Sequence, residues 1–455
     1  MNNRERVAKS GRRIKISHVL IVLLLAGIAV FAIFRLRVRF RLRDRIEAIR
    51  AAGYPATCAE LDRWYSIPRD VENAAYTMEE ALLMLNSWDK EKSKSLPVAG
   101  RAELPPRTEP IPPEMKTLIA EYVADNNEAL ELLHEAAKIE HCRYPVDLNA
   151  GFAARLPNLS EMRSCVFLLE LEAILHAEHG DDKLAIRSVK SCFGIARSLA
   201  KEPITISQLV RSACQNRAAT TIEYCINRIE FTDEQLVELI ECTHNSECIT
   251  NMSYALVGER CMGLTFFQNP RSLDPGVFGG STPTGPILAF YGAAGLADAD
   301  AVIYLDLMDG YMKSTELPLH ERQRAVDALG ARLQSTSKIH ILLHTIMPAL
   351  SRITTIELRS VAQLRTGQAG LAVQRYRLAT SELPDKLADL VPAYLETVPK
   401  DPFDGKELRY KKLDPGFVVY SIGEDLSDDG GRERPAKTVK DGKPVKWDVT
   451  FIVER

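Results

Sequence analysis

The chain has 455 residues, 46% of them hydrophobic and 26% charged, which suits one to three folded domains and excludes a disulfide-stapled miniprotein, a collagen-like repeat and a wholly disordered chain. Its charge is uneven: residues 1–50 carry 13 Lys and Arg against 3 Asp and Glu, and the remainder carries 45 against 58. An acidic bulk argues against a nucleic-acid-binding protein and turns attention to the basic N-terminus.

From Val19 to Phe34 there are 16 consecutive apolar residues, counting Gly27. At about 1.5 Å per residue this run nearly spans a hydrocarbon core of about 30 Å, and Lys15 and Arg35 can snorkel to close the gap. Phe34 passes straight into Arg35 without a small-x-small cleavage site, so the segment reads as an uncleaved anchor rather than a signal peptide. Six basic residues precede the run and six arginines follow it, at every second position from Arg35 to Arg45. That tie gives no orientation. Two readings of the arginines stay open: contact with anionic head groups, with residues 16–45 as the lipid-binding segment, or a solvated stop-transfer flank.

Residues 46–95 predict helices broken at Pro55 and Pro68. Six prolines between Pro97 and Pro113 forbid a helix there and predict an extended linker or a loop laid over the surface. Pro113 then opens a helix to about His141, with Leu118, Tyr122, Leu130, Leu133 and Ala137 at helical spacing. From Ser160 to Ile229 helix follows helix: Asn158 or Ser160 as cap, Gly180 as stop, Asp181 or Asp182 as restart, Pro203 as interruption. Thr232-Asp233-Glu234-Gln235 is close to a capping box. Residues 113–266 therefore read as stacked helical hairpins. Ala173, Gly180, Asp181 and Ala185 give one partial resemblance to a tetratricopeptide repeat unit, but His176 and Val189 replace its aromatic positions and no second copy follows. Residues 268–286 form a Gly/Pro-rich loop without GxxxxGK[ST], so nucleotide binding there is set aside. Helices resume over Ile287–Met312, Leu317–Gln334 and Ile339–Thr380.

The last 90 or so residues change character. A helix face of Ala369, Ala372, Tyr376 and Ala379 is followed by a short helix over Leu387–Val391. Strands follow over Leu408–Lys411 and Phe417–Ile422, joined by Asp414-Pro415-Gly416, with a last strand over Trp447–Val453. Asp425, Asp428 and Asp429 then offer up to six carboxylate oxygens within five residues, beside Gly430-Gly431. Ca²⁺ takes six to eight oxygens on a flexible loop; an acidic solvated turn has the same composition.

The ordered set Tyr376-Arg377, Leu383-Pro384, Val398-Pro399-Lys400-Asp401-Pro402-Phe403, Arg409-Tyr410 and Tyr420-Ser421-Ile422-Gly423-Glu424-Asp425 resembles the globular domain of the major pseudopilin of type II secretion systems, over about 70 residues from Gln363 to Gly431. The resemblance implies a small α+β module with a calcium site in the loop after the Tyr-Ser strand, onto which Asp425 maps directly. The chain is not itself a processed pilin, because its anchor lies some 330 residues before the module and no prepilin-peptidase motif precedes it. The whole layout is similar to uncharacterised planctomycete-type bacterial proteins that are anchored at the N-terminus, helical in the middle and end in this module.

Other candidate chemistry is sparse. His176 and His179 share a helix face, as do His340 and His344, but neither pair has the third ligand that zinc needs, so all four read as structural. Cys242 and His244 are neighbours in sequence without a nucleophile motif, and Glu79-Glu80 and Asp181-Asp182 suit helix starts or exposed faces. Nine cysteines, all between Cys58 and Cys261 and without a CxxC, leave at least one thiol unpaired in a monomer.

The expected fold is mainly α: residues 1–45 as basic N-terminus, anchor and Arg-rich flank, 46–362 as a solenoid-like helical-hairpin domain, 363–455 as the α+β module. The expected function is a scaffold or binding protein of the bacterial inner membrane, its soluble part extracytoplasmic, with protein partners, no nucleic acid and Ca²⁺ at Asp425, Asp428 and Asp429. A secretion-system accessory and a membrane-tethered hydrolase are the alternatives.

Overall fold

The computed structural model describes residues 16–156, 159–247, 251–270, 285–347, 350–435, 439–440 and 443–455. Helix makes up 65% of the chain and strand 4%. The first element, α1 (Ile16–Ala51), is 36 residues long and has no buried residue. It is long and apolar enough to cross a membrane.

The helix does not stop where its apolar run ends. Arg35, Val38, Leu42, Ile46 and Ile49 recur at three- and four-residue spacing and are half-buried. Leu42, Ile46 and Ile49 pack on the core that contains α13 (Leu296–Ser314). Arg35 and Arg39 both lie 3.7 Å from Asp298, and Arg45 lies 2.7 Å from Asp306. The flank is thus partly a docking face, while Arg37 and Arg41 stay exposed.

The main core begins with α2 (Cys58–Trp64), α3 (Ala74–Met84) and α4 (Lys90–Lys94). Thr57, Asn73 and Asp89 cap them by accepting amide hydrogen bonds at their first turns. The proline-rich strap lies over the surface, held where Arg228 donates to the carbonyls of Pro106 and Glu109. Where the periodicity predicts one helix from Pro113 to about His141, there are two, α5 (Pro113–Asp125) and α6 (Asn127–Ala136). Asn126 makes the break. Its buried side chain accepts from the Asn86 amide at 2.7 Å and donates to the Asn86 and Tyr122 carbonyls. That tie to the end of α3 replaces helix continuity.

The next helices follow the sequence closely: α7 (Leu159–His179), α8 (Asp182–Ser198), α9 (Thr205–Ile226), α10 (Asp233–Ser246) and α11 (Asn251–Gln268). Gly180 takes φ +77°, the left-handed stop that lets α8 fold back on α7. Thr232 and Gln235 form the reciprocal capping box. The Asn158 cap lies outside the described residues, as does most of the 268–286 loop.

A second core gathers α11, α12 (Gly285–Ala294), α13, α14 (Leu319–Ser335), α15 (Ile341–Ile346) and the start of α16 (Leu350–Thr380). The helix predicted over 287–312 is broken at Gly295, which has φ +78° and turns the chain by 77°. Continuous from 350 to 380, α16 crosses the expected boundary at 362/363 and joins both cores.

Against α16 packs a three-stranded antiparallel sheet in the order β1 (Arg409–Lys412), β2 (Phe417–Ser421), β5 (Val449–Val453). A separate two-residue ribbon pairs β3 (Val439–Lys440) with β4 (Lys443–Pro444). Phe417, Val419, Phe451 and Val453 face the main core, while Val418, Tyr420 and Ile452 cluster on the other face, as strand alternation requires. The predicted Leu387–Val391 helix is a single 3₁₀ turn, Leu387–Leu390.

Candidate functional site

The acidic loop comes directly off β2. Asp425 Oδ1 accepts the Ser427 amide at 3.0 Å and Asp428 Oδ1 accepts the Gly430 amide at 2.9 Å, so each carboxylate caps its own turn. Lys446 Nζ lies 4.0 Å from Asp425 and donates to Ser427. A fourth carboxylate, missed in the sequence because it is 19 residues further on, converges here. Asp448 is buried and accepts the amides of Gly431 at 2.8 Å and Asp429 at 3.4 Å. Burial raises the Asp448 carboxyl above the usual range, and the charges of Asp429 and Asp428 push the same way. Asp429 Oδ2 is buried with no hydrogen-bond partner. Among the described residues, no group of three or more His, Cys, Asp or Glu side chains is arranged to hold a metal ion.

Beside this loop stands a fixed structural carboxylate, Asp401. It accepts from the Phe403 and Ile422 amides, from Ser421 Oγ and from Arg409, with no exposed side-chain surface. Those bonds tie the 399–405 turn to β1 and β2.

A second concavity lies elsewhere. A cleft of about 930 Å³ opens over α8, α10 and the end of α6. Lys183, Arg187, Lys190 and Arg197 line it from α8, at steps of four, three and seven residues that keep them on one helix face. Lys138, Lys201 and Arg211 add to them, and Glu238 is the sole acidic residue of the lining among the described residues. Some of this charge is committed. Arg187 pairs with Glu131 at 2.6 Å, Lys190 with Glu238, and Arg197 and Arg211 donate to backbone carbonyls. Lys138, Lys183 and Lys201 have no ion-pair partner within 4 Å among the described residues. The α8 stripe is visible in the sequence as basic residues at helical spacing in an acidic region. Reading the segment only as a hairpin passed over it.

A buried array begins in the cleft wall, to which His134 and Ser191 contribute. Ser191 Oγ is 2.7 Å from His134 Nδ1, and His134 Nε2 is 3.0 Å from Glu172 Oε2, which also accepts from Ser188 at 2.6 Å. The order serine, imidazole, carboxylate is that of a hydrolytic triad. Ser191, however, sits inside α8, where neighbouring amides are used by the helix and none is left for an oxyanion.

The other candidates are placed individually. His176 lies 4.0 Å from Glu172 and from Asp181, and burial lowers its pKa. His340 Nδ1 is 2.5 Å from buried Asp300, pinning the start of α15 to α13. Eight cysteines are unpaired thiols, seven of them buried, and Cys248 lies outside the described residues. Cys242 lines the cleft, with its thiol pushed up by burial, and no hydrogen bond or ion pair joins it to His244 among the described residues. Comparison with family models, curated proteins and solved structures finds no match to this chain.

Proposed function

We propose that the chain is a membrane-tethered binding protein whose helical domain holds an acidic segment of a protein partner in the cleft over α8. The observation that carries this reading is the charge of the cleft: seven cations and one carboxylate line it, in a region that outside residues 1–50 carries 45 basic against 58 acidic residues. Such a concentration attracts an anion by local field rather than by net charge. Its shape and lining favour a peptide over a nucleic acid. Single-stranded nucleic acid is held by stacking aromatics, whereas Phe193 is buried and Tyr254 already packs on Trp64 at 4.8 Å.

The test uses the full chain in detergent and a fluorescein-labelled oligo-glutamate peptide. Saturable binding, weakened at least about tenfold by Lys138→Glu, Lys183→Glu and Lys201→Glu together and unchanged by Lys406→Glu, supports the reading. Equal binding by all variants overturns it, and displacement by a single-stranded oligonucleotide at lower concentration moves it to nucleic acid.

The wider setting belongs to the same proposal: a bacterial inner-membrane scaffold, soluble part outside the cytoplasm, with a solenoid-like helical domain and a pseudopilin-like C-terminal module that could also serve a secretion system. Ca²⁺ at Asp425, Asp428 and Asp429, joined by Asp448, would offset two of the four carboxylate charges and give the orphan Asp429 oxygen a partner. A rise in melting temperature with CaCl₂ that Asp429→Asn removes supports it; no rise counts against it. A second reading, a tethered hydrolase, draws on the Ser191–His134–Glu172 array. Labelling of Ser191 by a fluorophosphonate probe would favour it.

A further inference from the structure

Ten residues long, α12 carries no charged side chain: Gly-Pro-Ile-Leu-Ala-Phe-Tyr-Gly-Ala-Ala. One face is fixed to the second core. Tyr291 is buried there and donates to Asp300 at 2.7 Å, with Leu288 packed beside it. The other face is apolar and uncovered: Pro286, Ala289, Phe290 and Ala293 are exposed, Phe290 at 71%. A helix at a water-facing surface is normally polar on its outer side.

The position of α12 relative to α1 decides what that face meets. The ion pairs of Arg35 and Arg39 with Asp298, and of Arg45 with Asp306, advance in the same direction along both helices, so α13 runs parallel to α1. At 77° to α13, α12 therefore lies across the axis of α1. Its height is set by Arg35, which donates to the Gly292 carbonyl at 3.0 Å and fills the space beneath Gly295. Arg35 is also the residue at which the apolar run of α1 ends. An uncharged helix thus lies crosswise at the level where the membrane-crossing segment meets water.

We propose that α12 is a second membrane contact: it lies in the bilayer interface with Phe290 and Ala293 among the lipids, and the soluble domain rests on the membrane rather than hanging from a single tether. The lipid is the occupant because the exposed face continues the apolar surface of α1 at the same level, and an interfacial helix needs an apolar face without needing length to span. The inference rests on α1 being a membrane anchor, and the experiment separates the two.

Full-length protein is reconstituted in phosphatidylcholine vesicles containing lipids brominated either near the glycerol or at mid-chain. Phe290→Trp and, as a second site, Ala289→Trp report on α12. Leu25→Trp, about 15 Å further along α1 than Arg35, reports on the anchor. The wild-type signal from the native tryptophans is subtracted. The expected result is about twofold quenching of the α12 probes by shallow bromines and less by deep ones, with Leu25→Trp quenched by the deep ones. Quenching of Leu25→Trp with none at either α12 site overturns the inference alone. No quenching at any site removes the anchor and the inference with it. Deep quenching of the α12 probes would make α12 part of a re-entrant span and overturn the interfacial placement. Loss of α12 exposure only on raising protein concentration, without lipid, would assign the face to a second copy.

Discussion

Glu202 is the sharpest test of the energetics of the helical domain. It follows α8, is 1% exposed, and has one oxygen, Oε2, buried without a hydrogen-bond partner. No ion pair reaches it among the described residues, so burial dominates and its carboxyl is pushed up from 4.5 to about 7. The folded state thus keeps a proton that the unfolded chain releases above about 4.5. Between these values the folded form binds more protons, so stability falls as pH rises. Below about 4.5 both states are protonated and the stability is fully present; above about 7 both are ionised and the loss is complete. The gap of about 2.5 units corresponds to about 3 kcal/mol at about 1.36 kcal/mol per unit, an order-of-magnitude figure. Glu202→Gln removes the titration and keeps the shape. Urea unfolding of the full chain in detergent at pH 5, 6, 7 and 8 is the assay. Glu223 and Glu357 also rise to about 7 under burial, so the readout is the difference in slope between wild type and variant. Wild type should lose up to about 3 kcal/mol more than Glu202→Gln from pH 5 to 8. Parallel pH profiles would refute the reasoning.

Where α16 meets the sheet, a Cβ at Gly370 would collide with the Phe451 ring, whereas one at Gly367 would sit 3.8 Å from it. Gly370→Ala should therefore cost about 1–3 kcal/mol in urea unfolding by overpacking, while Gly367→Ala should be neutral or stabilise by up to about 1 kcal/mol through helix propensity. Asp401→Ala leaves the Phe403 and Ile422 amides and Ser421 Oγ without their acceptor in a buried site, while Arg409 keeps Asp404, and should cost about 1–3 kcal/mol, read as a lower melting temperature; Asp385→Ala, whose partner Lys412 is exposed on the surface, should leave the melting temperature nearly unchanged. Thr232→Ala removes half of the capping box of α10 and should cost about 1 kcal/mol by the same unfolding measurement.

Local signals in the sequence predicted the elements they control. Gly180, Pro203 and the Thr232–Gln235 box end and start helices through backbone preference and capping, which act within a few residues. The strands over 417–421 and 449–453 followed from β-branched and aromatic runs. The misses were set by distant partners. Asn126 breaks a helix because Asn86 needs its side chain 40 residues away. The break at Gly295 is stabilised by Arg35, 260 positions earlier. Asp448 joins the acidic loop only through strand pairing with β2. The cleft required three helices to be placed side by side before its cations shared one surface. Composition named the right residue types in each case, but one-dimensional spacing cannot bring together groups that meet only on folding.

Two basic features stand out among the described residues, and their partners divide their roles. In the flank of α1, four of the six arginines are taken: Arg35 and Arg39 by Asp298, Arg43 by Glu47 and Arg45 by Asp306. These pairs are partly exposed and individually weak; the stripe of Leu42, Ile46 and Ile49 in the second core supplies most of the hold. In the cleft, Lys138, Lys183 and Lys201 are left over, and no apolar stripe competes for them. The two features should therefore separate under salt. Raising ionic strength from about 0.05 to about 0.5 M shortens the screening length from about 14 to about 4 Å. Binding of an acidic probe in the cleft should fall several-fold, while Ile46→Cys, half-buried against the second core, should stay protected from a thiol-reactive label. If both responded alike, the docking of α1 would be electrostatic, and the flank would be as free to bind anions as the cleft.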